Sequence, residues 1–388
     1  SRTGLVRNLD RTSDTEPLGL APVRIDTFPL GDSDGVSEIA PSCNYSASMV
    51  TPASIASADA YLPHVAEGID PRALNEAVCL GGANPPNDIT IDKTSFVNGI
   101  GMSATDYARL AENGTGLVWS PRSDISLYGN TVPAAAAHRL GVNIALGTDW
   151  MVTGSMNLLR ELRCAESFNR IHLDGYFPDE ELWKMVTSNA AVETATDDVL
   201  GTLAAGKVAD ISIFRSGGHD GYGAVVHAES VDLVLLMRGG TILYGDENVL
   251  SALPGREACD TLGVCTESKV LCLQPEIGKT LAELQTAAGA AAYGPVFCGT
   301  PLNERSCTPA RSVAVSGSTI YSGIPGDTDS DGDGIADAGD NCPAVFNPVR
   351  PMDGGAQADG DSDGDGDACD PCPIQPDTAN CPPPGSGQ

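Results

Sequence analysis

Between residues 20 and 200, short apolar runs alternate with stretches of helical period. That is the pattern of β/α units around a buried parallel sheet. The runs predict strands over 23–28, 60–65, 96–100, 116–120 and 143–147. The segment 143–147, Asn-Ile-Ala-Leu-Gly, is apolar on both faces, as a strand covered on two sides must be. Amphipathic spacing predicts helices over 71–79, 131–140, 157–171 and 178–194. In the third of these, Leu158, Leu159, Leu162 and Ala165 share one face. Ser103 with Asp106 three residues on, then Gly114, marks the start and stop of another helix.

From residue 201 the period changes to that of strands. A strand is expected over 206–214, and a hairpin over 231–244 around Gly239-Gly240. The expected organisation is a barrel portion over 1–200, a β-subdomain over 201–250, a Cys-containing connector over 251–326 with a helix near 280–290, and an acidic tail over 327–388.

Charge and cysteine sharpen this division. The net charge is −30, and much of it falls between Asp327 and Asp370, where Lys is absent. Such acidity repels nucleic acid and anionic membranes and favours cations. The 12 Cys, most of them beyond residue 258, read as disulfides of an oxidising compartment. The expected location is therefore extracytoplasmic, secreted or at the cell surface. No run of about 18 apolar residues is present to span a membrane. The chain opens Ser1-Arg2-Thr3-Gly4 without Met or a visible signal peptide, so a processed form or a fragment of a longer protein is expected.

Candidate chemistry lies at strand ends. One apolar run ends in His64-Val65-Ala66-Glu67, and another leads into Gly147-Thr148-Asp149-Trp150. Catalytic groups of (β/α) barrels sit at the C-terminal tips of strands, so His64 and Asp149 are candidates for a shared metal centre. Asn98, Ser120, Arg122 and Ser123, with Asp124 beside them, are candidates to line a pocket. His138 is expected on the surface, and His172, His219 and His227 are assigned no role.

Taken together, His64-Val65-Ala66-Glu67, Leu117-Val118-Trp119-Ser120-Pro121-Arg122-Ser123, Leu146-Gly147-Thr148-Asp149-Trp150, Thr187-Ser188-Asn189-Ala190-Ala191 and the segment 201–210 resemble the amidohydrolase superfamily, in particular its deaminase and chlorohydrolase-like branch. The resemblance covers roughly residues 20–248. It implies an α/β fold: a partial (β/α)8 TIM-like barrel with a small β-subdomain. It also implies hydrolysis of non-peptide carbon–nitrogen bonds in a small-molecule substrate, using Zn2+ or another divalent transition metal. His64 would be a metal ligand, Asp149 both ligand and proton acceptor, and Glu67 a proton shuttle. Metal lowers the pKa of bound water, one carboxylate takes its proton, and a second carboxyl protonates the leaving nitrogen. Two departures stand out. No His-x-His pair occurs in the sequence, and Asn98 occupies a position resembling one where the family places His. Asn is the poorer zinc ligand, and two protein ligands fall short of the usual three. A catalytically inactive, calcium-organised surface or adhesion protein is the alternative expectation.

The tail places carboxylates at Asp327, Asp329, Asp331, Asp333, Asp337 and Asp340, and again at Asp359, Asp361, Asp363, Asp365 and Asp367. Alternating Asp and Gly can wrap a hard, oxygen-seeking cation such as Ca2+. An EF-hand does not fit, because its twelfth position would be Ala338 or Cys372. With its Asp340-Asn341-Cys342-Pro343 and Cys369-Asp370 punctuation, the segment resembles thrombospondin type 3 repeats. That resemblance implies bound calcium ions and the pairs Cys342–Cys369 and Cys372–Cys381.

Overall fold

The computed structural model describes residues 3–5, 23–31, 39–40, 42–45, 49–82, 85–254, 259–289, 294, 296–315, 317–376 and 381. The chain divides into two compact units, one of residues 1–197 with 305–388 and one of residues 198–304.

The first unit is built on a six-stranded sheet whose spatial order follows the sequence: β1 (Thr3–Leu5), β2 (Val23–Asp26), β3 (Ala60–Val65), β4 (Ser95–Asn98), β5 (Gly116–Trp119) and β6 (Ile144–Leu146). β1 pairs antiparallel with β2, and β2 to β6 are parallel neighbours. Sequential order without reversal is the winding of a barrel arc rather than of a doubly wound sheet. The helices α1 (Pro71–Leu80), α2 (Ala104–Glu112), α3 (Pro121–Tyr128), α4 (Ala134–Arg139), α5 (Leu158–His172), α6 (Asp179–Met185) and α7 (Ser188–Glu193) follow the strands in turn.

Local signals explain most of these elements. Asp70 caps α1 by accepting from Arg72 N, with Pro71 at the first helical position. Ser103 and Asp106 form a reciprocal capping box on α2. Two expectations need correction. The helix expected over 178–194 is two helices, broken where Thr187 leaves helical geometry at φ −132°, ψ −96°. Residues 121–128, not expected to be helical, form α3. Arg122, Ser123 and Asp124 on α3 are buried polar residues, so the segment lacks the apolar stripe that periodicity detects.

Helix α7 clasps the N-terminal ends of the strands. Asn189 Nδ2 donates to Ile144 O (3.0 Å). Glu193 accepts from Ser95 Oγ and Asn143 Nδ2 beneath β4 and β6. A Cβ on Gly116 would lie 1.7 Å from Glu193 Oε2, so any larger residue there would have to displace that carboxyl group. Deeper in the unit, buried Trp119 donates from Nε1 to Thr131 Oγ1 (2.7 Å), and Thr131 in turn donates to Asp124 Oδ2 (2.7 Å).

The second unit is a five-stranded antiparallel sheet, ordered β10-β11-β9-β8-β7. Its strands are β7 (Ile211–Phe214), β8 (Leu233–Arg238), β9 (Thr241–Asp246), β10 (Asp260–Val264) and β11 (Glu267–Leu271). The β8–β9 turn has positive φ at both Gly239 (55°) and Gly240 (82°), as a tight hairpin requires. Leu235, Leu250, Val270 and Cys272 form the core. Fully buried Lys269 donates to Val231 O (2.7 Å), Leu233 O (3.0 Å) and Asp246.

The unit boundaries therefore fall differently from 201–250, 251–326 and 327–388. β10 and β11 extend the subdomain sheet through β11–β9 pairing, so residues up to 304 belong with it. Residues 305–376 lie against the barrel strands and helices. Cys307 is bonded to Cys164 of α5, and Phe346 packs on Phe168, His172 and Tyr321. Too polar for a core of its own, this segment shares that of the barrel. Residues 377–380 and 382–388 of the expected tail lie outside the described residues. The Cys342–Cys369 and Cys372–Cys381 bonds are both present.

Two outcomes test this arrangement. Burial pushes the Glu193 carboxyl up to about 7, against hydrogen bonds from Ser95 and Asn143 that pull it down. A carboxyl raised in the folded state contributes stability in full below its unfolded pKa and loses it as pH rises through about 7. Glu193→Gln, neutral at every pH, should remove a fall of on the order of 3 kcal/mol between pH 5 and 8 in urea unfolding. Thr131→Val keeps the shape but leaves Trp119 Nε1 and Asp124 Oδ2 unpaired; the same measurement should show a loss of about 2 kcal/mol or more.

Candidate active site at the strand tips

Three strand exits carry the predicted chemistry, and each bends through left-handed backbone at a residue with a side chain: Ala66 (φ 54°), Asn98 (φ 75°) and Asp149 (φ 50°). Such positions cost on the order of 1–3 kcal/mol each and cluster where geometry serves a site. After Ala66 and Asn98 the chain is held by Gly99 N to Val65 O (3.0 Å) and Gly101 N to Ala66 O (2.9 Å). The β3 and β4 exits are thereby tied together.

This bending joins His64, Glu67, Asn98 and Tyr128 in one network. His64 Nδ1 lies 3.1 Å from Glu67 Oε2 and 3.1 Å from Asn98 Nδ2. Tyr128 OH donates to Glu67 Oε1 (3.0 Å). Burial raises the Glu67 carboxyl, but His64, Tyr128 and Asn98 together hold it below its ordinary value. Burial lowers His64, yet the hydrogen bond and charge of Glu67, then Asp149 and Asp26, carry it above its ordinary value. With Glu67 ionised, Nδ1 carries a proton and donates to it; Asn98 Nδ2, itself a donor, then serves Glu67 rather than the ring, and Nε2 is the open ring nitrogen.

Asp149 accepts from Ser123 Oγ (2.6 Å), and Ser123 also meets Thr153 Oγ1 (2.7 Å). Asp149 acts electrostatically on His64, Asp124 and Tyr128, which places its charge within the same cluster. Asp124 is wholly buried. Burial drives its carboxyl well above the usual range, with Asp149, Glu67 and Glu161 adding to the effect of burial against a hydrogen bond from Thr131.

The expected pocket residues divide. Ser123 reaches the site through Asp149. Ser120 Oγ is buried without a hydrogen-bond partner. Arg122 turns away from a pocket-lining role: its guanidinium donates to Ser155 Oγ (2.6 Å), Arg160 O (3.2 Å) and Arg305 O. All three of its nitrogens thus anchor the chain. His138, expected on the surface, is half-buried edge-on to Tyr176 and Phe177. His172, which was assigned no role, is buried at the end of α5.

Tyr128 and Asp26 escaped the sequence reading. Tyr128 ends α3, which periodicity did not reveal. Asp26 ends β2 as a buried carboxylate accepting from Tyr61 OH (3.3 Å). The apolar run reads on to Phe28, which puts the strand end two residues past Asp26.

As donors for a divalent metal, His64 Nε2 and the second oxygen of Asp149 fit. Asn98 Oδ1 is buried and without a hydrogen-bond partner, on the side chain whose Nδ2 lies 3.1 Å from His64 Nδ1. Among the described residues, no three His, Cys, Asp or Glu donor atoms of the barrel lie within 4.8 Å of one another, so the donor set is short of the usual three protein ligands. Two acidic triplets do meet that criterion: Asp329 with Asp331 and Asp333, and Asp359 with Asp361 and Asp363.

Residues 82–243 match the amidohydrolase family. The chain is 37% identical over 112 residues to a 5-methylthioadenosine/S-adenosylhomocysteine deaminase of Teredinibacter turnerae, covering 28% of this chain and 25% of that protein. It is 28% identical over 165 residues to a protein of the same description from Pyrococcus abyssi, covering 41% and 38%. The chain thus spans between a quarter and two fifths of the length of these relatives. An adenosine deaminase structure from Xanthomonas campestris with bound zinc aligns at TM-score 0.42 and 19% identity, covering 47% of this chain and 45% of that one. The family match and the deaminase relatives support the amidohydrolase superfamily for this stretch of the chain.

Proposed function

We propose that the chain contributes a large part of a metal-dependent hydrolase that acts on non-peptide carbon–nitrogen bonds of a small molecule, in the manner of a deaminase. The observation that carries this reading is the network of His64, Glu67, Asn98 and Tyr128 beside Asp149 at the strand tips. His64 and Asp149 would hold the metal, which when bound supplies Lewis acidity toward water and substrate. Glu67 is the proton carrier: its carboxylate lies between a tyrosine hydroxyl and the His64 ring, so it can pass a proton between solvent and a leaving nitrogen. Asp149, fixed by Ser123, is the second proton acceptor.

A second reading, a barrel retained as an inert scaffold, is favoured by one contact. Asn98 Nδ2 lies against His64 Nδ1 where the family resemblance expects a second imidazole. We propose Ca2+ as the ligand of the tail clusters, supported by the converging carboxylates and by the buried, unpartnered Asp331 Oδ2. An oxidising, extracytoplasmic location is supported by six disulfides and no free cysteine among the described residues.

Metal content separates the two readings. Purified protein should carry zinc or another transition metal, and Asp149→Ala should lower its affinity about 10- to 100-fold by metal analysis under graded chelator. If wild type carries none and Asn98→His acquires it, the scaffold reading holds. In a hydrolase, Tyr128→Phe should lower kcat about tenfold or more against a panel of aminopurine nucleosides, with little change in metal content.

A further inference from the structure

The acidic segment is fastened to the barrel at three places. The first is the end of α5. Buried His172 donates from Nδ1 to Asp331 O (3.0 Å), and its own carbonyl accepts from Phe346 N (2.8 Å). One residue of α5 is thus bonded to both ends of the turn that carries Asp331 and Asp333. The second is α3, where Tyr321 OH donates to Gly129 O (3.2 Å), the residue after Tyr128.

The third place is the strand exits themselves. Arg350 sends Nη1 to Ile100 O (2.8 Å) and Met102 O (3.3 Å), while its other nitrogens are held by Asp353 (2.9–3.2 Å). Met352 N donates to Ile69 O (3.3 Å). Ile69 lies two residues beyond Glu67, and Ile100 two beyond Asn98. The segment 350–353 therefore grips both loops that carry the site.

The turn that supports this grip is electrostatically unfinished. Asp329, Asp331 and Asp333 bring carboxylate oxygens within 4.8 Å of one another, with Asp331 and Asp333 both 0% exposed. Backbone amides satisfy most of these oxygens: Gly332 and Gly334 on Asp329, Asp333 N on Asp331 Oδ1, and Ile335 and Asn347 on Asp333. Asp331 Oδ2 is sealed from solvent with no partner. Burial first, then the neighbouring carboxylates, pushes Asp331 up to about 8; burial and the charges of Asp340 and Asp329 push Asp333 up to about 7. Three carboxylates so placed repel unless protons or a cation intervene, and a divalent cation bonded to oxygen is the ligand such a pocket takes.

We propose that a calcium ion at Asp329, Asp331 and Asp333 pins the segment to α5, and that through Arg350 its occupancy sets the loops carrying Glu67 and Asn98. This rests on the calcium reading of the tail. The bound ion stabilises the turn that His172 and Phe346 join to the barrel, and the turn holds the Arg350–Asp353 latch in register. Arg350 is accordingly a positioning residue.

Hydrogen exchange by mass spectrometry on the full chain, with calcium titrated calorimetrically, tests this. Calcium should slow exchange about tenfold or more in peptides covering 158–172, 66–70 and 98–102 as well as 327–349, relative to chelator. Magnesium, which dehydrates reluctantly, should do so weakly. Asp331→Asn should abolish the effect. Arg350→Ala should keep calcium binding and protection of 327–349 but lose that of 66–70 and 98–102. Calcium binding that protects 327–349 alone, or loop protection that survives Arg350→Ala, would overturn the coupling and leave the calcium reading intact. No heat of binding and no protection anywhere would sink the calcium reading and the coupling with it.

Discussion

The constraint on which this molecule depends is the burial of carboxylates. A chain of net charge −30 has placed Asp26, Asp124, Glu161, Glu193, Asp331 and Asp333 in its interior. An ionised carboxylate away from water is stable only when donors, a counter-charge or a cation replace its hydration. Each solution is used somewhere. Glu193 receives hydroxyl and amide donors, Asp124 is driven toward its neutral form, and Glu67 pairs with an imidazole. Asp246 in the second unit is matched by buried Lys269 and by Arg215. The acidic triplet of the tail has amides for most of its oxygens and nothing for one.

The same accounting explains why the strand tips are reactive ground. His64 and Glu67 shift each other in opposite directions, and the charge of Asp149 acts on His64. The left-handed exits at Ala66, Asn98 and Asp149 store backbone strain that the surrounding hydrogen bonds must hold. Those bonds come from the neighbouring strand and, at Ile69, Ile100 and Met102, from the far end of the chain. The site is thus supported from behind by residues whose own sequence speaks only of cations.

Much of the scaffold was legible because parallel strands are apolar throughout. β3, β5 and β6 stand out as short unbroken runs, and their tips led to His64 and Asp149. The α2 helix was legible from its caps. α3 was not, since its buried side chains are Arg122, Ser123 and Asp124, and polarity there reflects specific partners rather than solvent. The seating of the tail was not legible either. His172 meets Asp331 across 159 residues, and Arg350 meets Ile100 across 250; no local pattern encodes such pairs. Tyr128 was missed for the same reason as its helix, and Asp26 because the strand was read two residues too long, to Phe28.

The Cys164–Cys307 bond has a topological result. It joins cysteines 143 positions apart and so closes a ring that encloses all of 198–304, the second compact unit. That unit is therefore a guest module whose entry and exit are stapled at the host. A backbone nick anywhere within it would leave one covalent molecule, with the barrel strands and the calcium-seeking segment still joined through sulfur. The ring also shortens the unfolded-state search by which residues beyond 307 find α5, so the long excursion of the chain need not delay their return.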